Sequence, residues 1–99
     1  MKKPEECKNI NEVRESIDEI DKKIIELLVK RFSYVKEIVK YKEKTEESII
    51  AQKRRDEVIS TRKKWAVEKG LNANIIEKIY TLLTEYFINE ELKLINKNK

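Results

Sequence analysis

The sequence contains no histidine, and it has one cysteine, one glycine and one proline among its 99 residues. Without histidine, the commonest general base and metal ligand is missing, and no Ser-His or Cys-His nucleophile can be assembled. The scarcity of glycine and proline leaves almost no turn chemistry, so we expect an all-α chain. The lone Cys7 cannot form an intrachain disulfide, and we assign it no role.

Long apolar runs are missing as well. No stretch approaches the length of a membrane span, and the amino terminus lacks the apolar segment of a signal peptide, so we expect a cytoplasmic protein without membrane contact. The 23 basic and 19 acidic residues are interspersed and give a net charge of +4, which does not indicate a nucleic-acid partner. We expect one domain over residues 1–99, and a chain this short buries a modest core unless copies associate.

The first predicted helix is unusually long. It begins near Asn9 or Asn11, either of which can cap it, and nothing between residues 12 and 44 breaks it. About 33 residues at about 1.5 Å each give a rod of roughly 50 Å, longer than a globule of this mass is wide. Two shorter helices cannot cover its apolar face, so we expect a homodimer. That face repeats by threes and fours: Ile10, Val13, Ile17, Ile20, Ile24, Leu27, Leu28, Phe32, Val35, Ile38 and Val39.

An interruption is predicted over residues 44–52. Thr45 and Ser48 are alternative helix caps there, and Ile49 and Ile50 form an apolar plug that can insert into the core.

Two further helices follow this interruption. The second runs from about residue 51 to 69 and stops at Gly70. Asn72 can cap the third helix, whose apolar residues share one broad face: Ile75, Ile76, Ile79, Tyr80, Leu83, Phe87, Leu94 and Ile95.

Three cations lie on or beside the apolar stripe of the first helix, where binary patterning favours leucine. They are Arg14, Arg31 and Lys42, of which the last two share one helical face. Long side chains can instead extend outward to solvent, or pair with carboxylates such as Asp18, Asp21 and Glu43. Three cations along one stripe favour a bound anion, because buried cations without a partner are strongly destabilising.

Charged residues on the other two helices complete the candidate set. Arg54 and Arg55 come early in the second helix, where such charges usually form a solvated face. On the third helix Glu91 continues the apolar line, with Glu90 beside it. A carboxyl group in apolar surroundings has a raised pKa and can serve as a neutral hydrogen-bond donor.

The segment NINEVRESIDEIDKKIIELLVKRFSYVKEIVKYK resembles the first helix of the all-helical chorismate mutase family, including its substrate-binding cations. The segments MKKPEEC, RFSYVK and KKWAVEKGL further resemble the isochorismate pyruvate-lyase branch of that family, whose enzymes form salicylate. The resemblance extends over nearly the whole chain. It implies an intertwined dimer of three-helix chains.

The resemblance also assigns roles to the charged residues. It implies that Arg31, Lys42 and one second-helix arginine line one site, and that Arg14 reaches in from the partner subunit. Arg54 is the best match for the second-helix arginine, with the adjacent Arg55 as the alternative. Glu91 is the best match for a glutamine of the family, with the adjacent Glu90 as the alternative. The substrate is a dicarboxylate enol ether, chorismate or isochorismate. Both reactions are pericyclic and need no nucleophile, metal or cofactor, so we expect none. Lys42 is the expected partner of the ether oxygen as negative charge develops there.

Two departures from the family pattern bear on the reaction. Mutases of this family carry a carboxylate just after the second-helix arginine, whereas Arg55 follows Arg54 here and Asp56 comes one step later. The lyase branch dispenses with that carboxylate, which favours the lyase. Glu91 in place of the glutamine must be protonated, turned away or held neutral by burial, since its charge would repel the substrate.

Three classes of function remain open at this point. The first is the pericyclic enzyme, either an isochorismate pyruvate lyase with mutase activity or a dedicated chorismate mutase. The second is a helical dimerisation or regulatory module without catalysis. The third is a basic helical nucleic-acid binder. Only the enzyme explains cations on an apolar stripe by a small bound dianion.

Overall fold

The computed structural model describes residues 2–42 and 45–97. Within these ranges the chain has no strand and four α-helices: α1 (Ile10–Ile38), α2 (Glu46–Ile50), α3 (Gln52–Glu68) and α4 (Ala73–Lys97). Short 3-10 helices flank α1, one before it and one directly after it: Pro4–Glu6 and Val39–Tyr41. The predicted all-α class with three principal helices is confirmed, and α2 is one additional turn between the first and second of them.

Three helices begin at side-chain caps. Asn9 caps α1, Thr45 caps α2 and Asn72 caps α4. The side-chain oxygen of each cap accepts a hydrogen bond from the amide three residues later, over 2.9, 3.1 and 3.1 Å respectively. Of the alternatives left open by the sequence, Asn9 is therefore the cap rather than Asn11, and Thr45 rather than Ser48.

The end of α3 is fixed by Gly70, as predicted. Gly70 has φ +82°, a left-handed conformation that favours glycine. Its amide donates to the carbonyl of Val67 over 3.2 Å, and the amide of Leu71 donates to the carbonyl of Ala66 over 2.8 Å. These two hydrogen bonds form a Schellman motif, which satisfies two carbonyls in the last turn of the helix.

The first helix ends earlier than predicted. Its α-helical part stops at Ile38, a 3-10 turn follows from Val39 to Tyr41, and Lys42 has extended backbone angles of φ −92° and ψ 149°. The adjacent β-branched residues at the junction have lower helix propensity, which makes this a weak point in the rod. The prediction of a continuous helix to residue 44 is therefore wrong. The last two residues of that range lie outside the described part of the chain.

The chain divides into two compact units, Met1–Tyr34 and Val35–Lys99. The first unit consists mainly of α1, which buries none of its residues within the chain. Its apolar face is at least 40% exposed at Ile10, Val13, Ile17, Ile20 and Ile24. An apolar face of this extent marks an interaction surface. The homodimer and the single domain over residues 1–99 stay predictions.

In the second unit α3 packs along α4, and the short α2 also contacts α4. Among the side chains that the structure describes, four apolar ones form the core at 7% exposure or less: Val58 and Ala66 from α3, and Phe87 and Ile95 from α4. Ile50, one of the two residues of the predicted plug, is 36% exposed and does not belong to this core. The side chain of Ile49 lies outside what the structure describes.

Candidate active site

Among the described side chains of α4, the polar ones that are buried are Thr84 and Glu91, with exposed fractions of 9% and 5%. They are seven residues apart, so they lie on one side of the helix, about two turns from each other. Buried Phe87 lies between them in sequence and Ile95 follows, which makes this side of α4 largely apolar. Buried polar groups need hydrogen-bond partners. Each of these two meets a cation from another segment of the same unit.

Glu91 meets Lys42. The ammonium Nζ of Lys42 donates a hydrogen bond to Oε2 of Glu91 over 3.2 Å, and the two side chains are 22% and 6% exposed. Lys42 reaches this position from extended backbone after the 3-10 turn. The expectation that Lys42 shares a helical face with Arg31 is therefore wrong, because the helix has ended before Lys42. Its contact with Glu91 joins two predicted catalytic residues.

Burial raises the pKa of Glu91 above the ordinary glutamate value. The charge of Lys42 and its hydrogen bond lower the same pKa, but the loss of hydration outweighs them. Glu91 therefore binds a proton more readily than a glutamate in water does. A protonated Glu91 beside an ammonium group presents two neighbouring hydrogen-bond donors in an apolar wall.

Thr84 meets Arg55 of α3. Nε of Arg55 donates to Oγ1 of Thr84 over 3.3 Å, and Nη2 of the same guanidinium pairs with Oε1 of Glu85 over 3.2 Å. The Arg55 side chain is 20% exposed, whereas Glu85 lies at the surface with its side chain 55% exposed. The guanidinium is thus engaged by two consecutive residues of α4.

Arg54, the predicted substrate ligand of the second helix, points away from this contact. Its side chain is 66% exposed, and its guanidinium lies 3.9 Å from the carboxylate of Glu57 one turn later on α3. An exposed pair at this distance contributes little to stability. Arg54 is thus available to a ligand, whereas Arg55 is held by its own chain. The role of Arg54 stays a prediction.

Arg14 and Arg31 both lie on α1 in the first unit, Arg14 exposed and Arg31 half-buried. Seventeen residues of helix separate them, which is about 25 Å along the axis at about 1.5 Å per residue. A ligand built on one six-membered ring cannot span that distance. One copy of this helix therefore cannot deliver both guanidinium groups to the same small molecule.

Lys42 and Glu91 were predicted separately as site residues from the sequence, and the structure brings their side chains into contact. The contact between Arg55 and Thr84 was missed. A signal was present, because Arg55 precedes the buried Val58 by three residues and so shares its side of α3. Thr84 likewise precedes Phe87 by three residues on α4. Arg55 and Thr84 can therefore be assigned to the core-facing sides of α3 and α4 once the buried residues of these helices are known.

Over residues 2–42 and 45–97, no three His, Cys, Asp or Glu side chains cluster in a way that could hold a metal ion. In the same ranges, no helix combines the length and the apolar character needed to cross a membrane.

Comparison with known proteins places these residues in a family. The sequence model of the family described as chorismate mutase type II matches residues 13–92, a range that includes all five predicted site residues. A relative from Pseudomonas aeruginosa, named isochorismate pyruvate lyase, is 36% identical over 93 residues, which cover 94% of this chain and 91% of the relative. A match of this extent settles the resemblance seen in the sequence: the chain belongs to the chorismate mutase type II family.

Proposed function

We propose that this enzyme is an isochorismate pyruvate lyase, which converts isochorismate to salicylate and pyruvate, and that the same site also rearranges chorismate to prephenate. The observation that carries the proposal is the contact between the partly buried Lys42 and the buried Glu91, which lies between Phe87 and Ile95 on the core-facing side of α4. The name of the relative from Pseudomonas aeruginosa supports the choice of reaction. Both substrates are water-soluble dianions, and we assign the enzyme to the cytoplasm.

In the lyase reaction the bond between the ether oxygen and the ring breaks. One hydrogen passes from the ring to the methylene carbon of the enolpyruvyl group, so that pyruvate leaves and the ring becomes aromatic. Negative charge develops on the ether oxygen as the bond breaks. The ammonium of Lys42 stabilises this charge, and the protonated Glu91 donates a second hydrogen bond to the same oxygen. Because the two groups are 3.2 Å apart, one acceptor atom can contact both.

The arginines bind the two carboxylates of the substrate. Arg31 and Arg54 come from one chain, and guanidinium groups match carboxylates through two parallel hydrogen bonds. Arg14 comes from the partner subunit of an intertwined homodimer. The length of helix between Arg14 and Arg31 supports this division, since a single chain cannot bring both to one substrate. The arginines thus hold a compact conformer in which the reacting atoms are close.

A dedicated chorismate mutase is the second candidate. The residue after Arg54 distinguishes the two, because a carboxylate there would hold the substrate hydroxyl in the mutases. Arg55 occupies that position, and its guanidinium is engaged by Thr84 and Glu85. The residue after Arg54 therefore has no carboxylate for the substrate hydroxyl, which favours the lyase.

The test is a pair of assays on the purified protein. Isochorismate is supplied first, and salicylate fluorescence and pyruvate are measured in the same sample. Chorismate is supplied in parallel, and prephenate formation is followed. We expect equal amounts of salicylate and pyruvate, with kcat/KM higher for isochorismate than for chorismate. A higher value for chorismate would assign the enzyme to the mutases, and turnover of neither substrate would refute the proposal.

We expect an obligate homodimer in which dissociation and unfolding coincide. The apolar face of α1 is too exposed within one chain for that helix to be stable in water. The melting temperature should therefore rise with protein concentration. Sedimentation equilibrium at micromolar concentration measures the mass directly. A folded monomer would contradict both the dimer and a site shared between subunits.

Arg31→Ala is expected to lower kcat/KM while the fold is retained, because the guanidinium binds a substrate carboxylate. Losing a charge-assisted contact costs about 1.5–3 kcal/mol, which is roughly a 10- to 150-fold decrease in kcat/KM. Lys30→Ala is the matched control, since Lys30 is the adjacent exposed cation on the same helix. Equal kcat/KM in the wild type and Arg31→Ala would show that Arg31 does not contact the substrate.

A further inference from the structure

The first turn of α3, which carries Arg54, begins without a side-chain cap, although Nε2 of Gln52 donates a hydrogen bond to Oδ1 of Asp56 over 2.8 Å. It contains Lys53, Arg54 and Arg55 and no acidic residue, although a helix N-terminus favours negative charge. Ala51 stands at the cap position with φ +41° and offers no side-chain oxygen to the free amides. By contrast, Asn72 caps α4. A tertiary contact that holds this turn in one position therefore matters more here than at a helix start with a side-chain cap.

Arg55 supplies such a contact, and its geometry is well defined. The hydroxyl of Thr84 donates to the carbonyl of Thr81 over 3.1 Å, which leaves its lone pairs to accept from Nε of Arg55. The second arm of the guanidinium pairs with Glu85. Planar guanidinium donors fix both distance and orientation, which a single point charge does not. The first turn of α3 is thus tied to a defined place on α4.

We propose that Arg55 is a positioning residue that acts through Arg54. By holding the first turn of α3 against Thr84 and Glu85, it places Arg54 at the correct distance from Lys42, which is itself bound to α4 through Glu91. Thr84 and Glu91 are seven residues apart, or about 10 Å along the helix axis. Helix α4 therefore sets the spacing between the carboxylate-binding arginine and the lysine at the ether oxygen. This inference rests on the proposed function, in which Arg54 binds the substrate.

The experiment measures how Arg55→Ala changes KM and kcat in two backgrounds, the wild type and Arg54→Ala. In the wild-type background, we expect KM to rise on the order of 10- to 100-fold with kcat changed far less, because a misplaced Arg54 weakens substrate binding. In an Arg54→Ala background the same substitution should leave KM unchanged, because Arg55 then has no arginine to place. A purely structural contact would lower activity by the same factor in both backgrounds.

Three further variants define the contact. Thr84→Val should raise KM as Arg55→Ala does, and Thr84→Ser, which keeps the hydroxyl, should restore it. Lys53→Ala removes a charge from the same turn and is the matched control, because Lys53 is exposed. We expect Lys53→Ala to keep the wild-type KM. A KM increase in Lys53→Ala equal to that in Arg55→Ala would reduce the effect to the loss of one positive charge and overturn the proposal.

Hydrogen exchange separates this inference from the proposed function. In intact wild type and Arg55→Ala, amide exchange is followed in a peptide covering residues 52–58. Faster exchange in Arg55→Ala than in Lys53→Ala supports the tie to α4 whether or not isochorismate is a substrate. Equal exchange in the two variants would overturn the inference. Lack of turnover by the wild type would refute the proposed function alone.

Discussion

Replacing Lys42 with alanine is expected to lower kcat about 100- to 1,000-fold, the usual effect of removing one preorganised donor to a developing negative charge. KM should change far less. The ether oxygen of the bound substrate is nearly neutral and gains charge only as its bond to the ring breaks. The ammonium therefore interacts more strongly with the transition state than with the ground state, and such an interaction appears in kcat.

The fold should survive this substitution. Truncating one partner of a buried ion pair usually leaves an unpaired buried charge, which is strongly destabilising. Here the remaining partner can become neutral, because Lys42 lowers the pKa of Glu91 and its removal lets that pKa rise further. Glu91 then takes up a proton instead of remaining a buried anion. Thermal melting at mildly acidic pH should therefore be close to that of the wild type.

Lys40→Ala is the matched control for Lys42→Ala. Lys40 belongs to the 3-10 turn that directly precedes Lys42, its side chain is 69% exposed, and it pairs with Glu37 over 3.1 Å at the surface. We expect wild-type kinetics from this variant, because a surface pair of this kind contributes little. If Lys42→Ala raised KM and left kcat unchanged, Lys42 would bind the substrate without assisting the reaction.

The helix boundaries that the sequence predicted correctly are those determined by local chemistry. Asn9 and Asn72 each cap a helix through an amide three residues later, and Gly70 ends α3 in a left-handed conformation. These effects involve neighbours within one turn, so they can be identified from residue type and spacing. The all-α class follows in the same way from the scarcity of turn residues.

The end of the first helix was predicted wrongly because the deciding contact is distant in sequence. Helical periodicity continues through Ile38 and Val39, and no glycine or proline marks a stop. In the structure the chain leaves the helix and extends at Lys42, which meets Glu91 49 residues later. A partly buried tertiary contact of this kind can override weak local preferences, and periodicity contains no information about it.

The two arginines at the start of α3 could not be distinguished from the sequence for a related reason. This helix has few apolar residues, so its core-facing side is poorly defined by periodicity. Arg54 and Arg55 are adjacent, and one step along a helix turns a side chain by about 100°. The structure resolves the difference: Arg55 faces α4 with Val58, and Arg54 faces solvent.

Replacing Glu91 with glutamine is expected to remove the fall of kcat/KM at rising pH. In the wild type, burial raises the pKa of Glu91, so the side chain donates a hydrogen bond below that pKa and repels the ether oxygen above it. Activity should therefore decline as pH rises through the raised pKa. Glutamine keeps the shape and donates at every pH. The variant should keep or exceed the wild-type rate near neutrality.

Stability provides a second observable that needs no substrate. The folded state binds the proton of Glu91 more tightly than the unfolded state, because the pKa is raised on folding. The contribution of this group is fully present below the ordinary glutamate pKa and is lost as pH rises through the raised value. Glu91→Gln should remove this loss. The free energy of unfolding of the variant should therefore increase relative to that of the wild type as pH rises.

The measurement is a set of kcat/KM profiles from about pH 4.5 to 8.5, a span that includes the ordinary glutamate pKa and a strongly raised one. Glu90→Gln is the matched control, because Glu90 pairs with Lys93 over 3.1 Å and its side chain is more exposed than that of Glu91, at 27% against 6%. Its profile should follow that of the wild type. Superimposable profiles for the wild type and Glu91→Gln would mean that Glu91 does not meet the ether oxygen. If only the unfolding data differed, burial would raise the pKa of Glu91 without the reaction using its proton, and Lys42 would then be the sole donor at that oxygen.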